Sequence, residues 1–290
     1  MPGRPAMKPQ IALIGDPVAH SLSPQIQAAA FQAVGLDWGY QLLRVPRGQL
    51  TARWSALRSD FVGLNVTIPL KEDAARLVTR TTAAAGICGS VNTVMFQPGA
   101  AIGDSTDGPG FMAALARGGV EQLERAAVIG TGGAARAVVA ALAARGTAVM
   151  VLGRHPEAGR RIADDLSGMV PGQVGYGRLC ASDLASALVG ADLLVNATPL
   201  GGPTAPDRSP LPEAMRLPAG LAVVDLVYRP RRTPLLQQAA ASGCRVVEGI
   251  EMLVEQAALS FAAWTGTKAP VEVMRRAAYL GLQQSLERSR

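Results

Sequence analysis

The apolar residues of this chain fall into short runs that alternate with longer segments of helical period. In the first part of the chain, the predicted strands are 10–14, 38–45, 61–66 and 91–96, with a helix near 48–58. Ser23-Pro24 is typical of a helix start, with Ser as the N-cap and Pro at the first helical position. Short strands separated by helices predict an α/β fold with a mostly parallel sheet.

A second alternating series begins near residue 126. Its predicted strands are 126–129, 148–152, 192–196 and 221–227, and an alanine-rich helix is predicted over 132–144. The last two strands are apolar on both faces, as a parallel sheet covered on both sides requires. Residues 201–218 are rich in Gly and Pro and predict a long loop, and two helices are expected at 251–264 and 270–285.

A glycine-rich turn lies between the first strand and the helix of this second series. Its sequence is Gly130-Thr131-Gly132-Gly133-Ala134-Ala135. Such a turn lets the backbone approach a pyrophosphate closely, and the helix N-terminus adds N–H donors and a favourable dipole. The context predicts a Rossmann-type dinucleotide site, and the alternative is a tight turn that binds nothing.

The next strand bears on the choice of dinucleotide. NAD-specific sites usually carry Asp or Glu at its end, but here the sequence is Leu152-Gly153-Arg154-His155. Arg154 is suited to pair with a 2′-phosphate, so the sequence favours NADP. The alternative is that Arg154 is a solvated loop charge.

Four polar clusters follow predicted strands or lie in loops. They are Ser21/Ser23, Asn65/Thr67/Lys71, Asn92/Thr93 and Asp104/Thr106/Asp107. Each has an ordinary explanation as helix caps, turn residues or an exposed lysine. However, Asn65 to Lys71 places an amide, a hydroxyl and an ammonium just beyond a buried strand, where open α/β sheets bind ligands.

Taken together, these segments resemble the shikimate dehydrogenase family, including its quinate/shikimate branch. The similarity covers about residues 11–275 and keeps the order of eight motifs. They are GDPVAHSLSP from Gly15, NVTIPLK from Asn65, SVNT from Ser90, GDSTDG from Gly103, GTGGAAR from Gly130, NATPLG from Asn196, DLVY from Asp225 and MLVEQAA from Met252.

The resemblance implies two α/β domains with a cleft between them. Residues 1–107 and 249–290 would form the substrate-binding and catalytic domain, and residues 108–248 the Rossmann dinucleotide-binding domain. The implied reaction is the reversible NADP-dependent reduction of 3-dehydroshikimate to shikimate. Lys71 and Asp107 would be the catalytic pair, because an ammonium beside the carbonyl stabilises the developing alkoxide and delivers a proton.

The resemblance also implies which residues contact the ligands. Ser21 and Ser23, helped by Tyr228, would bind the substrate carboxylate, and Asn65, Thr67, Asn92 and Gln256 would hold the ring hydroxyls. The cofactor would contact Gly130, Thr131, Gly132, Gly133, Ala134, Arg154, Thr198, Gly249 and Met252. No metal is implied.

Several positions depart from the family pattern. Gly153 and His155 replace the usual Asn and Thr or Ser around Arg154, and Ala158 replaces a second basic residue, so NAD use stays open. Ser105 replaces an Asn, and Gly202 replaces a Met that lines the nicotinamide pocket in the family.

Composition narrows the choice of function class. The net charge is +6, but arginines are scattered and aromatic residues make up only 4%, which disfavours a nucleic-acid surface. No long uninterrupted apolar run predicts a membrane span, and residues 1–10 lack the apolar core of a signal peptide. We expect a disordered extension there and a soluble, cytoplasmic protein.

Cys88, Cys180 and Cys244 are widely separated and predict reduced thiols rather than a zinc site. The expected partners are therefore small molecules, in a monomer or a homodimer.

Three alternatives stay open at this point. The chain could be an NAD-preferring quinate/shikimate dehydrogenase, or a relative acting on a modified cyclohexene carboxylate. It could also be a non-catalytic, ligand-sensing protein of the same fold, although Lys71 and Asp107 argue against this. A Rossmann enzyme of different chemistry, such as a methyltransferase, is disfavoured by Lys71 beside Asn65.

Overall fold

The computed structural model describes residues 8–287. The predicted N-terminal extension falls largely on residues 1–7, which lie outside the described residues. The chain divides into two compact units. Among the described residues, the first unit comprises 8–85, 90–106 and 257–287, and the second comprises 86–89 and 107–256.

The first unit is built around one sheet. Up to residue 106 the elements are β1 (Gln10–Gly15), α1 (Ser23–Ala33), β2 (Gly39–Arg44), α2 (Leu50–Asp60), β3 (Gly63–Val66), α3 (Lys71–Leu77), β4 (Arg80–Thr81), α4 (Ala83–Cys88), β5 (Thr93–Gln97) and β6 (Ala100–Asp104). The strand order is β2-β1-β3-β5-β6-β4. Its core contains Ile14, Leu64, Val66, Val91 and Val94, all at most 2% exposed.

This sheet is mixed, whereas the alternation of strands and helices predicted a mostly parallel one. β1 is parallel to β2 and β3, but β5 is antiparallel to both β3 and β6. β5 and β6 form a hairpin whose turn contains Gly99 at φ 75°. β6 was not predicted from the sequence, and the antiparallel strand β5 is what makes the sheet mixed.

Helix α1 begins one residue earlier than predicted, at Ser23 instead of Pro24. Leu22 is the N-cap, Ser23 is the first helical residue, and Pro24 follows it. No side chain caps this end of the helix. The Ser23 hydroxyl is engaged with other side chains, described below, so the N-cap prediction for Ser23 was wrong.

The second unit contains most of the later elements. They are α5 (Asp107–Arg117), β7 (Arg125–Ile129), α6 (Gly133–Ala143), β8 (Ala148–Gly153), α7 (Pro156–Leu166), β9 (Val174–Arg178), α8 (Ala181–Leu188), β10 (Leu193–Asn196), β11 (Ala222–Asp225), α9 (Pro234–Ala241) and β12 (Arg245–Glu248). Helix α10 (Gly249–Thr265) continues from this unit into the first, and α11 (Val271–Glu287) belongs to the first. Residues 201–218 contain no helix or strand, as predicted.

The second sheet is parallel throughout, with the order β12-β11-β10-β7-β8-β9. Renumbered from β7, this is the 3-2-1-4-5-6 order of dinucleotide-binding sheets, which reverses between β7 and β10. Neighbouring residues of one strand face different cores. Val128 packs with α6 on one side, and Ile129 packs on the other. The predicted Rossmann-type α/β fold is therefore confirmed.

Within residues 8–287, no helix combines the length and the apolar character needed to cross a membrane.

Candidate active site

The polar clusters of the first unit gather at one edge of its sheet. Strands β1, β3 and β6 run in the same direction and end there, and the antiparallel β5 begins there. The loops that leave this edge carry Ser21, Thr67, Asn92 and Thr106. The predicted clusters are thus brought together by strand direction.

Two serines and a tyrosine form a chain of hydroxyls at this edge. The Ser21 hydroxyl donates to Ser23 Oγ at 3.1 Å, and the Ser23 N–H donates to Ser21 Oγ at 3.2 Å. Ser23 is also hydrogen-bonded to the Tyr40 phenol. Burial raises the pKa of Tyr40, against the opposing effect of the Ser23 hydrogen bond, so this phenol stays protonated and available as a donor.

Asn65 is buried near the end of β3, and both ends of its amide are occupied. Its Oδ1 accepts from the Tyr40 hydroxyl at 2.7 Å. Its Nδ2 lies 3.1 Å from the Asn92 carbonyl, 3.3 Å from Thr93 Oγ1 and 3.2 Å from Ser260 Oγ. Because an amide nitrogen has two hydrogens, these three acceptors saturate it, and the second lone pair of Oδ1 is the group left for a ligand.

Asn92 ties the same edge to the residues after β6. Its Nδ2 donates to Thr106 Oγ1 at 2.9 Å, and its Oδ1 accepts from the Thr106 N–H at 2.8 Å. The hydroxyls of Thr93 and Ser260 lie 2.7 Å apart. All four residues are at most 2% exposed, so they form a buried and neutral network that fixes the loops in place.

Thr67 and Lys71 lie on the turn that follows β3. The Thr67 N–H donates to Ile14 O at 2.9 Å, and the Lys71 carbonyl accepts from the Val91 N–H at 3.0 Å. A Cβ on Gly15 would lie 2.4 Å from Cγ2 of Thr67, so only glycine allows this turn to approach β1 so closely. Lys71 is the first residue of α3 and is partly exposed.

The glycine loop of the second unit lies where its strand order reverses. Gly130 has φ 125°, and a Cβ on it would lie 2.9 Å from the Ala197 carbonyl oxygen. A side chain at residue 130 would therefore clash with the β10 loop as well as strain the backbone. The loop leads into α6, which begins at Gly133 after the N-cap Gly132.

This loop fits a dinucleotide pyrophosphate. A Cβ on Gly132 would meet no atom within 4 Å, in contrast to Gly130. No side chain among the described residues caps the start of α6, so the first N–H groups of this helix are available to bind a ligand. Thr131, Gly133 and Ala134 are partly exposed beside them.

Two arginines near the loop have different surroundings. Arg154 is exposed at the end of β8. Arg136, the last residue of the glycine motif, donates from Nε to the Cys88 carbonyl at 2.9 Å and pairs with Asp165 at 2.6 Å. Arg136 therefore holds residues 86–89 against α6.

The ends of β10 and β11 are joined by a second buried network. Asn196 donates to Asp225 Oδ1 at 2.9 Å, and its Oδ1 accepts from the Thr198 N–H at 3.0 Å and hydroxyl at 2.7 Å. Thr233 donates to Asp225 Oδ2 at 2.6 Å. Burial raises the pKa of Asp225 to about 6, although the hydrogen bonds from Thr233, the Val227 N–H and Asn196 oppose the shift.

The other predicted site residues also lie in the second unit. Asp107 opens α5 and is 5% exposed. A Cβ on Gly249 would lie 2.5 Å from the Asp225 carbonyl oxygen, and Met252 is 7% exposed within the core around α6. Tyr228 and Gln256 are partly exposed. Lys71 and Asp107 thus belong to different units.

Sequence reasoning missed Tyr40 and Ser260 as members of the substrate-side network. Tyr40 lies on the edge strand β2, and Ser260 lies in the middle of α10. Neither residue is in a motif. The only signal in the sequence is that Ser260 is a polar residue within an apolar stretch. The Ser105 hydroxyl is buried with no hydrogen-bond partner among residues 8–287.

The described residues contain no group of three or more His, Cys, Asp or Glu side chains arranged to hold a metal ion. Cys88, Cys180 and Cys244 form no disulfide bond with one another.

Two family models match the chain. The model described as the shikimate dehydrogenase substrate binding domain matches residues 13–94. The model described as the shikimate 5′-dehydrogenase C-terminal domain matches residues 249–279.

Individual relatives match over nearly the whole chain. The NADP(+) shikimate dehydrogenase of Methanopyrus kandleri is 41% identical over 276 residues, covering 92% of this chain and 93% of the relative. The structure of Thermus thermophilus shikimate 5-dehydrogenase in complex with NADP(H) and shikimate is 38% identical with a TM-score of 0.85, covering 94% of this chain and 100% of that chain. The quinate dehydrogenase of Corynebacterium glutamicum, in complex with NAD, is 28% identical with a TM-score of 0.82, covering 93% and 98%.

Proposed function

This chain belongs to the shikimate dehydrogenase family, and we propose that it reversibly reduces 3-dehydroshikimate to shikimate with NADP(H). The observation that carries the proposal is the network at the sheet edge of the first unit. It presents hydroxyl and amide groups suited to a small polyhydroxylated acid beside an ammonium group. We place the protein in the cytoplasm, as a monomer or homodimer.

The substrate side of the proposal rests on the first unit. Ser21 and Ser23 would turn their hydroxyls from each other to the substrate carboxylate, together with Tyr228. The second lone pair of Asn65 Oδ1 would accept from a ring hydroxyl, and Thr67, Asn92 and Gln256 would hold the others. The internal hydrogen bonds of the network support this role, because they hold the groups in position before the substrate binds.

The chemistry is assigned to Lys71 and Asp107. The bound cofactor supplies the hydride for reduction and accepts it in the reverse direction. The Lys71 ammonium stabilises the alkoxide that develops on the substrate oxygen and donates a proton to it. The Asp107 carboxylate orients this ammonium and accepts a hydrogen bond from the neighbouring ring hydroxyl. In the oxidation direction, Lys71 takes the hydroxyl proton back.

The cofactor side rests on the second unit. The N–H groups of the loop from Gly130 to Ala134 would bind the pyrophosphate, and Arg154 would bind the 2′-phosphate. Thr198, Gly249 and Met252 would line the nicotinamide side of the site. Asn196 supports this placement of Thr198, because its two hydrogen bonds fix the Thr198 backbone and hydroxyl.

The predicted domain division becomes part of the proposal. Residues 1–107 with 249–290 would form the substrate-binding and catalytic domain, and residues 108–248 the dinucleotide-binding domain. Its support is that the glycine loop and Arg154 lie in one compact unit, while Ser21, Asn65 and Lys71 lie in the other.

A matrix of four assays tests the proposal. Purified protein is supplied with shikimate or quinate, each with NADP⁺ or NAD⁺, and nicotinamide reduction is followed by absorbance. We expect the highest kcat/KM for shikimate with NADP⁺. Absence of turnover in all four assays would favour the ligand-sensing alternative, which a binding titration with shikimate then identifies.

Quinate oxidation with NAD is the second candidate. It is favoured by the similarity to the C. glutamicum quinate dehydrogenase and by Gly153 and Ala158 beside the Arg154 site. A higher kcat/KM for quinate with NAD⁺ in the same matrix would establish it. The two substrates differ in their ring hydroxylation, and a site that hydrogen-bonds one hydroxyl pattern can reject another by several orders of magnitude.

A further inference from the structure

The end of β9 lies directly beside the Arg154 loop. Gly153, the last residue of β8, is the register partner of Arg178, the last residue of β9. The Leu179 N–H extends this pairing by donating to the Gly153 carbonyl at 2.8 Å. Because paired strands lie about 4.8 Å apart, the Arg178 backbone is one strand away from the residue that precedes Arg154.

The side chain of Arg178 leaves the sheet on the face that carries α7 and the glycine loop. A Cβ on Gly159 of α7 would lie 3.1 Å from the Tyr176 Cβ, so Tyr176 points to α7. Arg178 follows two residues later in the same strand and therefore shares this face. Its partner Gly153 faces the loop as well, since a Cβ there would lie 2.8 Å from Cγ2 of Thr131.

The acidic residue Asp183 approaches Arg178 from the opposite face of the sheet. Asp183 accepts a hydrogen bond from the Arg178 N–H at 2.9 Å. Its Oδ2 lies 3.1 Å from the position of a Cβ on Gly177, whose side of the sheet is opposite to that of Arg178. Asp183 thus anchors the Arg178 backbone from the opposite face, and this hydrogen bond, with a smaller contribution from the Arg178 charge, lowers the pKa of the Asp183 carboxyl.

The two guanidinium groups are exposed to solvent. Among residues 8–287, neither Arg154 nor Arg178 forms a salt bridge, whereas Arg160 on α7 pairs with Asp164 at 3.5 Å. Two like charges held at the ends of adjacent strands repel each other, and a dianion bound between them removes this repulsion. A phosphate monoester is such an anion, with a charge of about −1.5 to −2 at neutral pH.

We propose that Arg178 is a specificity-determining residue that, together with Arg154, binds the 2′-phosphate of the adenosine ribose. This inference rests on the proposed dinucleotide site. It assigns to the end of β9 the second cation that is missing at position 158, which is alanine. Each guanidinium can offer two parallel N–H donors to the phosphate oxygens.

The experiment measures ligand fragments by calorimetry, so it does not depend on turnover. The full chain is titrated with 2′,5′-ADP, which carries the 2′-phosphate, and with 5′-AMP, which does not. We expect Arg178→Ala to weaken 2′,5′-ADP binding by about tenfold and 5′-AMP binding by less than about twofold. Arg178→Glu should weaken 2′,5′-ADP further, and Arg178→Lys should fall between the alanine variant and the wild type.

Arg125→Ala is the matched control. Arg125 is an exposed arginine at the start of the central strand β7, so the substitution removes the same charge from the amino-terminal end of the same parallel sheet. It should leave the affinity for both fragments unchanged. An equal loss of 2′,5′-ADP affinity in Arg125→Ala and Arg178→Ala would reveal a general charge effect and overturn the proposal.

The remaining outcomes separate this inference from the NADP assignment. If the wild type prefers 2′,5′-ADP and Arg178→Ala keeps that preference, Arg178 has no such role while the NADP site stands. If the wild type binds both fragments equally, the NADP preference itself is wrong and the role of Arg178 falls with it. If Arg178→Ala weakens both fragments equally, it has disturbed the loop rather than the phosphate contact.

Discussion

Each of the two units buries an asparagine near the end of a central strand, but the two networks differ in charge. Asn65 of β3 is surrounded by neutral groups, namely Tyr40, Thr93 and Ser260. Asn196 of β10 donates to the carboxylate of Asp225. Both asparagines hold loops in place, but only the second does so with a carboxyl group, whose pKa burial raises to about 6.

This difference separates two ways of building a ligand site. At the edge of the first unit, side chains present the polar groups, so single substitutions there remove specific contacts. In the second unit, the uncapped backbone N–H groups at the start of α6 are the groups proposed to bind the ligand, and the side chains of Asn196 and Asp225 hold the loops that follow β10 and β11. We therefore expect variants of the Asn65 network to alter substrate binding, and variants of the Asn196 network to alter cofactor binding and stability.

The largest expected effect is that of Lys71→Ala. Loss of the proton donor should lower kcat by about 10²- to 10⁴-fold, the usual contribution of a general acid–base group. The KM for NADP⁺ should change little, because Lys71 belongs to the substrate-side unit. Steady-state kinetics with shikimate and NADP⁺ measure both parameters.

Lys268→Ala is a suitable control for this variant, because it removes an exposed lysine of the same unit. It should retain the wild-type kcat. An unchanged kcat in Lys71→Ala, or a parallel loss in both variants, would remove Lys71 from its proposed role.

Tyr40→Phe tests the neutral network with a smaller change. The variant leaves Asn65 Oδ1 without its 2.7 Å donor and Ser23 without its phenol partner. We expect the KM for shikimate to rise by about tenfold, while the KM for NADP⁺ stays within about twofold. An unsatisfied buried acceptor should also lower the free energy of unfolding by about 1–3 kcal/mol.

Tyr176→Phe is the matched control in the second unit, because Tyr176 is 44% exposed and lies on β9. It should change neither KM. If Tyr40→Phe raised the KM of both ligands equally, its effect would be a general loss of structure, and the network would not be specific to the substrate side.

Much of the fold could be predicted because burial leaves a clear pattern in the sequence. The central strands β7, β8, β10 and β11 are covered on both faces and read as apolar runs. β9 was missed because Gly175 and Gly177 interrupt its pattern, and because Arg178 ends it. β6 was missed because its five residues, Ala100–Asp104, include only one β-branched residue and it depends on its pairing with β5.

The site was predicted where function requires a contiguous motif. Asn65, Lys71 and the glycine loop stand out because several polar or small residues follow one strand. Tyr40 and Ser260 could not be found this way, since each is a single residue brought in by a distant element. The pairing of Arg178 with Gly153 could not be predicted from the sequence either, because the register between β8 and β9 is fixed by packing across the whole sheet.

A third expected effect concerns the charged network and appears only as a change of stability with pH. The pKa of Asp225 is about 6 in the folded protein, against about 3.9 for an unperturbed carboxyl. Between these values the folded state binds a proton that the unfolded state has released, so stability falls as pH rises through this window. At about 1.4 kcal/mol per pH unit, the loss between pH 4 and pH 6 is about 3 kcal/mol, and above pH 6 it becomes constant.

Urea unfolding of wild type and Asp225→Asn at several pH values isolates this contribution, because the other carboxyl groups act equally in both proteins. The difference in unfolding free energy should favour the wild type most near pH 4 and decrease by about 3 kcal/mol by pH 7. Trp38, Trp54 and Trp264 all lie in the first unit. Tryptophan fluorescence therefore reports the unfolding of the first unit, whereas far-UV circular dichroism reports the unfolding of both units. A pH-dependent difference seen by circular dichroism and absent from fluorescence would localise the titration to the second unit. Parallel stability curves for the two proteins by both methods would show that Asp225 stays ionised across this range, and the contrast between the two networks would then be one of geometry alone.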